Sequence, residues 1–233
     1  MDNPIRLHWL DPRNPEQPFP PAHLALREPN GLLAIGGDLH PTRLLRAYAY
    51  GVFPWYNADE PILWWCPDPR AVLPPTELHI SRSLGRRVRS GHFRVTVDTC
   101  FDAVTAGCAG PRAHHCGTWL GDAMRVAYGE LHRLGHAHSV EVWDRDALVG
   151  GLYGVAIGRM FYGESMFSRQ TDASKVALVA LCERLVAHDF ALIDCQVASA
   201  HLTRLGAVEW SRDRFLSVAR PAAAERASTG VWS

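Results

Sequence analysis

The stretch "GRMFYGESMFSRQTDASKVALVAL", residues 158–181, carries the reading of the whole chain. Its first part is short, aromatic and apolar, as a buried strand is. Its last part sets apolar residues at helical spacing, and a polar loop lies between the two. Glu164 interrupts the apolar strand text. A carboxylate buried without partners costs several kcal/mol, so Glu164 either belongs to a polar network or faces a cleft.

Working outward, "AHSVEVWD" (137–144), "ALVGGLYGVAIG" (147–158) and "RMFYGESMF" (159–167) predict three successive antiparallel strands joined by short turns. "FRVTVD" (93–98) predicts a strand before them. "TWLGDAMRVAYGELHRLG" (118–135) predicts a helix closed by Gly135. After the loop, "SKVALVALCERLVAHD" (174–189) predicts a helix with Leu178, Leu181, Cys182 and Leu185 at helical spacing, and "FALIDCQV" (190–197) a last buried strand. The fold class expected is α+β, a layered domain.

Prolines divide the chain: fourteen of the sixteen fall in the first 75 residues, which cannot then form a regular sheet interior. Residues 1–75 are expected to be a small loop-rich domain, with its boundary between 65 and 92. Residues 76–219 are expected to form the main domain and 220–233 a frayed tail. Inside the first part, "GGDLHPTRLLRAYAYG" predicts one helix, with Pro41 in its first turn, Asp38 or His40 near its start and Gly51 at its end. No apolar run has membrane-spanning length and the start is unlike a signal peptide, so a cytoplasmic protein is expected.

Six cysteines, Cys66, Cys100, Cys108, Cys116, Cys182 and Cys195, form no C-x-x-C pair and are read as reduced thiols. "CAGPRAHHCG" offers Cys108, His114, His115 and Cys116, but their spacing matches no usual zinc pattern and no metal is expected. Zero formal net charge argues against a general nucleic-acid binder. Locally, "HISRSLGRRVRSGHFR" carries Arg82, Arg86, Arg87, Arg89 and Arg94 without an acid. It is either a solvated helix face or a phosphate-contact patch.

Alternation places Tyr162, Glu164 and Met166 on one face and Phe161, Gly163 and Ser165 on the other. Asp194 and Gln196 share a face in "LIDCQV". The loop "SRQTDASK" has the layout of an acetyltransferase pyrophosphate site but lacks its glycines. Asp172 would repel a pyrophosphate, so coenzyme A is disfavoured. Asp172 or Ser174 suits a helix N-cap instead, worth about 1 kcal/mol. Lys175, the only lysine beside 23 arginines, is either simply exposed or meets an acidic partner or an RNA phosphate. Trp55, Trp64, Trp65 and Trp119 lie near turns. They are core residues or platforms for unpaired bases, whose stacking is worth about 1–3 kcal/mol.

Taken together, "EPNGLLAIGGDL", "GVFPWYN", "PILWWCPDPRAVL", "LHISRSL", "GTW", "AHSVEVW", "FYGESMFSR", "DASKVAL" and "LIDCQ" resemble the leucyl/phenylalanyl-tRNA–protein transferase family, in order and spacing, from about residue 19 to 217. The resemblance implies a main domain similar to the GCN5-related acetyltransferase fold, used without coenzyme A or another cofactor. It implies transfer of Leu, Phe or Met from leucyl-, phenylalanyl- or methionyl-tRNA to proteins with N-terminal Arg or Lys, in the bacterial N-degron pathway, by a monomer.

Residue by residue, the resemblance gives Asp194 and Gln196 as the catalytic pair and Glu164 in the aminoacyl site. It places Trp55 and Trp119 near the terminal adenosine, and Leu152, Phe161, Leu181 and Leu185 around the side-chain pocket. Arg82, Arg86, Arg87 and Arg89 would hold the acceptor stem. The sequence departs from the family where Leu181 and Leu185 replace bulky aromatics and where Ser199 stands at a position that can carry an amide. On this reading Asp194, held by Gln196, orients the incoming amine or accepts its proton. The rivals are a coenzyme-A-dependent N-acetyltransferase and a non-catalytic reader of basic N-termini.

Overall fold

The structure, a computed structural model, describes residues 7–57, 59–110, 121–228 and 230–233. Its first part holds strands β1 (His8–Leu10), β2 (Leu32–Gly36), β3 (Phe53–Pro54) and β4 (Leu63–Trp65) and helix α1 (Pro41–Tyr50). The four strands form a sheet in the order β1-β2-β4-β3. The expectation of a part with no regular sheet interior is corrected to this extent, and proline density shows instead in strands of two to five residues. Helix α1 starts and stops as predicted. His40 Nδ1 accepts from the Thr42 amide, Pro41 sits in the first turn, and Gly51 closes the helix at φ 89°.

The larger sheet takes β5 (Arg70–Leu73), β6 (Arg94–Val97), β7 (Ala137–Asp144), β8 (Ala147–Ile157), β9 (Met160–Ser168), β10 (Leu192–Gln196) and β11 (Val208–Trp210). Its order is β11-β5-β10-β9-β8-β7-β6, so β5 joins the main sheet from within the stretch, 65 to 92, where the domain boundary is expected. Helices α2 (Arg82–Arg89), α3 (Phe101–Ala109), α4 (Asp122–Arg133), α5 (Ala173–Ala187), α6 (Ala200–Arg204) and α7 (Arg212–Ala224) complete the α+β fold. Strands β7, β8 and β9 are the predicted antiparallel run, closed by two-residue turns at Arg145 and Gly158 with φ of 54° and 57°. A side chain at Gly158 would lie 2.4 Å from the Ala222 carbonyl oxygen. Among the described residues no helix is long and apolar enough to cross a membrane.

Helix α5 carries the chain from β9 to β10, and this crossover makes them the parallel pair of the sheet. Their register runs Leu192↔Met160, Ile193↔Phe161, Asp194↔Tyr162, and stops there. Each strand then bulges. Ser165 pairs with Tyr153 and Gly163 with Gly154, which leaves Glu164 as the extra residue of β9. The shift between Asp194 and Gln196 against β5 leaves Cys195 extra in β10. The two strands part at this point, and the gap becomes the candidate site.

The bulge overturns the predicted faces. Tyr162 packs with Phe167 in the core under α1, α3, α4 and α7, whereas Met166 packs with Phe161 in the core under α5. One inserted residue resets the two-residue period, so Met166 lies opposite Tyr162 instead of beside it. The expected frayed tail is also corrected. Helix α7 runs to Ala224, Val231 is buried, and Trp232 stacks on His138 at 4.0 Å with the rings 6° apart. Arg184 Nη1 donates to the Val231 carbonyl at 2.5 Å and fixes this segment to α5.

Helix α5 lies close on β8 because Gly150 has no side chain: a Cβ there would sit 2.5 Å from Ala173 Cβ and 3.0 Å from its carbonyl carbon. Gly150→Ala must lift the start of α5. Overpacking of this kind costs about 1–3 kcal/mol, so Tm should fall by about 3–10 °C in a thermal melt.

Candidate functional site

A cavity of about 670 Å³ occupies the gap between β9 and β10, with Phe53, Pro54 and Trp55 on one side and His201 and Leu202 of α6 on another. Its apolar wall includes Leu152, Phe161, Met166, Leu178, Leu181 and Ile193. Three of the four predicted wall residues, Leu152, Phe161 and Leu181, are there. Leu185 is not: it is fully buried in the core one turn further along α5. Leu178, three residues before Leu181, was legible from helical spacing. Met166 was hidden by the bulge.

Glu164 is the cavity's carboxylate. Tyr48 Oη of α1 donates to Oε1 at 2.8 Å, Tyr128 Oη of α4 to Oε2 at 2.7 Å, and Gln196 Nε2 to Oε1 at 2.8 Å. The two tyrosine hydroxyls lie 2.5 Å apart. Burial pushes the Glu164 carboxyl up to about 7. The three donors pull it down and the Asp194 charge pushes it further up. Burial, and then the Glu164 charge, holds both tyrosines well above their ordinary range, so they stay neutral hydroxyls. Sequence reasoning missed Tyr48 and Tyr128. Each sits among apolar residues on the buried face of its helix, where a core side chain and a donor look alike.

Asp194 departs from its expected place. It is wholly buried, absent from the cavity lining, and held by Arg70, whose Nε donates to Oδ1 at 2.8 Å and Nη2 to Oδ2 at 2.6 Å. The Arg70 guanidinium lies over the rings of Phe53 and Phe215, at 4.7 and 4.6 Å. Buried and paired in this way, Asp194 presents no surface to the cavity. It also accepts from the Gln196 backbone amide at 2.9 Å, which fixes Gln196 at φ 64° and turns its side chain to Glu164. The pair is therefore linked in the reverse sense, with Asp194 holding Gln196. Arg70 carried a usable signal: an arginine in the apolar text "RAVL" needs a buried acid, and Asp194 needed a buried base.

Trp55 is half exposed at the cavity edge, edge-to-face with Trp65, whose Nε1 donates to the Trp55 carbonyl at 2.6 Å. Trp64 is core, its Nε1 donating to the Gly36 carbonyl. Trp119, His114, His115 and Cys116 lie outside the described residues, and Cys108 is buried. Helix α2 buries Leu84 and leaves Arg82, Arg86 and Arg89 exposed, as is Arg94. Arg87 stacks over Phe93 at 5.6 Å. None of these arginines forms an ion pair among the described residues, so the stretch is an uncompensated positive face.

The loop before α5 satisfies itself. The Ser174 amide donates to Ser168 Oγ and the Ala173 amide to the Gln170 carbonyl. Asp172 stands at the N-cap with φ 70°, yet its side chain caps nothing and instead pairs with Lys175 Nζ at 2.7 Å. The expected carboxylate or Ser174 cap is thus replaced by Ser168. Lys175 meets an acidic partner, and the helix amides a pyrophosphate would use are occupied beside a negative charge.

Removing either member of the Arg70–Asp194 pair leaves a buried charge unmatched, at a cost of about 3–5 kcal/mol. Arg70→Met and Asp194→Leu should each lower the urea midpoint sharply, and the double variant should recover most of that loss. Midpoints that add instead would count against a buried, mutually dependent pair.

The N-terminal domain model described as leucyl/phenylalanyl-tRNA protein transferase N-terminal domain matches residues 37–68, and the main leucyl/phenylalanyl-tRNA protein transferase model matches residues 72–220. The transferase of Alkalilimnicola ehrlichii is 55% identical over 97% of this chain and 88% of its own length. That of Stutzerimonas stutzeri is 56% identical over 94% and 98%. A solved GCN5-related N-acetyltransferase from Kribbella flavida is similar over 69% of this chain and 57% of that one, at 10% identity and a TM-score of 0.38. With both family models matched in order and more than half the residues shared with these relatives, the chain belongs to the leucyl/phenylalanyl-tRNA–protein transferase family and is an aminoacyltransferase from tRNA to protein.

Proposed function

We propose that the chain moves leucine, phenylalanine or methionine from its tRNA ester to the α-amine of proteins beginning with Arg or Lys, as a step of an N-degron pathway. The observation that carries this reading is an apolar cavity whose edge holds one carboxylate, Glu164, tied to Gln196. The donor side chain enters between Leu152, Phe161, Leu178 and Leu181. Such a wall favours large unbranched or γ-branched side chains and discriminates weakly, since a methylene is worth about 1–3 kcal/mol. Trp55 offers its exposed ring to the terminal adenine, and the α2 arginines meet phosphates further down the acceptor stem.

The donor ester is already activated, so catalysis needs orientation and a group to take one proton. The acceptor amine has a pKa near 8. Glu164, raised to about 7 by burial, is matched to accept its proton, whereas Asp194 is committed to Arg70. Gln196 holds Glu164 toward the cavity, and Asp194 acts as the positioning residue behind Gln196.

Incubation with charged leucyl-tRNA and an Arg-started peptide, followed by peptide mass, should show addition of one leucine. The single-turnover rate should rise as pH passes about 7, because the carboxyl loses its proton there and becomes a base. Glu164→Gln should lower the rate by about 10²-fold or more and leave only the dependence near pH 8 set by the amine. No addition from leucyl-, phenylalanyl- or methionyl-tRNA would sink the function. A Glu164→Gln rate within threefold of wild type would remove Glu164 from the chemistry. Separately, replacing Arg86 and Arg89 by alanine should weaken tRNA binding and reduce the salt slope of log affinity by about 2.

A further inference from the structure

Four oxygens from three side chains meet beside the cavity: Tyr48 Oη, Tyr128 Oη and Glu164 Oε1 and Oε2. They make three short contacts, Tyr48–Tyr128 at 2.5 Å, Tyr48–Oε1 at 2.8 Å and Tyr128–Oε2 at 2.7 Å. Each such contact is a hydrogen bond only if one proton lies between its oxygens. Each hydroxyl supplies one proton, and an ionised carboxylate supplies none. Two protons cannot serve three contacts, and the ionised cluster would set one pair of oxygens together with nothing between them. A protonated Glu164 supplies the third.

Gln196 fixes the direction of the ring. Its Nε2 is only a donor and already occupies Oε1, so the acid proton belongs on Oε2. Protonation reverses the Tyr128–Oε2 contact from its direction in the ionised cluster: Oε2–H then donates to Tyr128, Tyr128 to Tyr48, and Tyr48 back to Oε1. We propose that Glu164, Tyr48 and Tyr128 form a closed three-proton ring that stores the proton taken from the acceptor amine and returns it to the departing ribose oxygen. This rests on the transfer reading above and supplies the route of the leaving group's proton.

The step balances. The amine nitrogen bonds to the ester carbonyl carbon and gives one proton to Glu164, which closes the ring. The bond from that carbon to the ribose oxygen breaks, with its electron pair on oxygen. Glu164 gives the proton to that oxygen, and the ring returns to two protons. Ester and amine become amide and hydroxyl, with no other reactant. Glu164 touches the reacting atoms and is the catalytic residue; Tyr48 and Tyr128 act through it and are positioning residues. His201 lines the same cavity, and burial lowers it below the ordinary histidine range, so it is neutral where Glu164 changes charge. Gln196 is neutral, Tyr153 lies edge-on to Tyr128 at 5.5 Å, and Asp194 is matched by Arg70.

Single-turnover leucine transfer to the Arg-started peptide should be measured for wild type, Tyr48→Phe, Tyr128→Phe and the double variant, in water and in mixtures with heavy water. Either substitution opens the ring, so each should slow transfer by about tenfold or more and the double should be no slower than the slower single. KM for leucyl-tRNA should stay within about twofold. The rate against deuterium fraction should be bowed in wild type and straight in the variants. Single effects that multiply in the double, or a straight wild-type plot, would overturn the ring while leaving the transfer reading in place. Absence of transfer by wild type would overturn both. The wild-type plot needs no substitution and decides the matter even where a variant folds poorly.

Discussion

The buried pair of Arg70 and Asp194 is the constraint on which the site depends. It joins β5 to β10 at the level where β10 leaves β9, and its guanidinium fills the space between Phe53 and Phe215. Two charges out of water are costly unless geometry and further hydrogen bonds compensate. Here the bidentate fork, two aromatic faces and the Gln196 amide do so. The same carboxylate therefore balances a buried cation and holds Gln196 in the left-handed region. Without that hold, Gln196 would continue the strand, and nothing would direct its amide to Glu164.

A consequence is a division of labour between two acids two residues apart in register across the parallel pair. Asp194 pairs with Tyr162 and is spent on structure; Glu164, past the end of the pairing, is exposed to the cavity. Environment alone separates them. Glu164 has hydroxyl and amide donors, which stabilise its charge less than a guanidinium would, and its burial raises it to about 7. A protein that must take one proton from an amine and give one to an alcohol needs a group balanced in this way. A carboxylate against an arginine would hold its charge too firmly.

Much of this was legible in the sequence. The three-strand run, helix α5 and β10 follow from period and turn residues, and "YGES" and "LIDCQ" marked the two strands that form the site. What was hidden had physical causes. A bulge adds one residue without changing composition, so alternation put Met166 on one face with Tyr162 and Glu164, where the structure separates Met166 from Tyr162. Tyr48 and Tyr128 occupy apolar helix faces and reach Glu164 over 116 and 36 residues of chain, a pairing that local pattern cannot supply. Leu185 and Leu181 share a helical stripe, and only the depth of the cavity separates them. The tail was read as frayed because it has little to bury, yet Trp232 docks on His138 and anchors it.

Glu164, a carboxyl raised to about 7 by burial at the edge of an apolar cavity, is the group on which the proposed chemistry rests. The most direct measurement is the carbon chemical shift of its carboxyl, followed from pH 4 to 9 in protein carrying ¹³C-labelled glutamate and assigned against Glu164→Gln. An inflection near 7 is the result expected. An inflection in the ordinary glutamate range, near 4.3, would contradict the account, because a carboxylate so easily ionised would neither hold an amine's proton nor close the ring with the tyrosines.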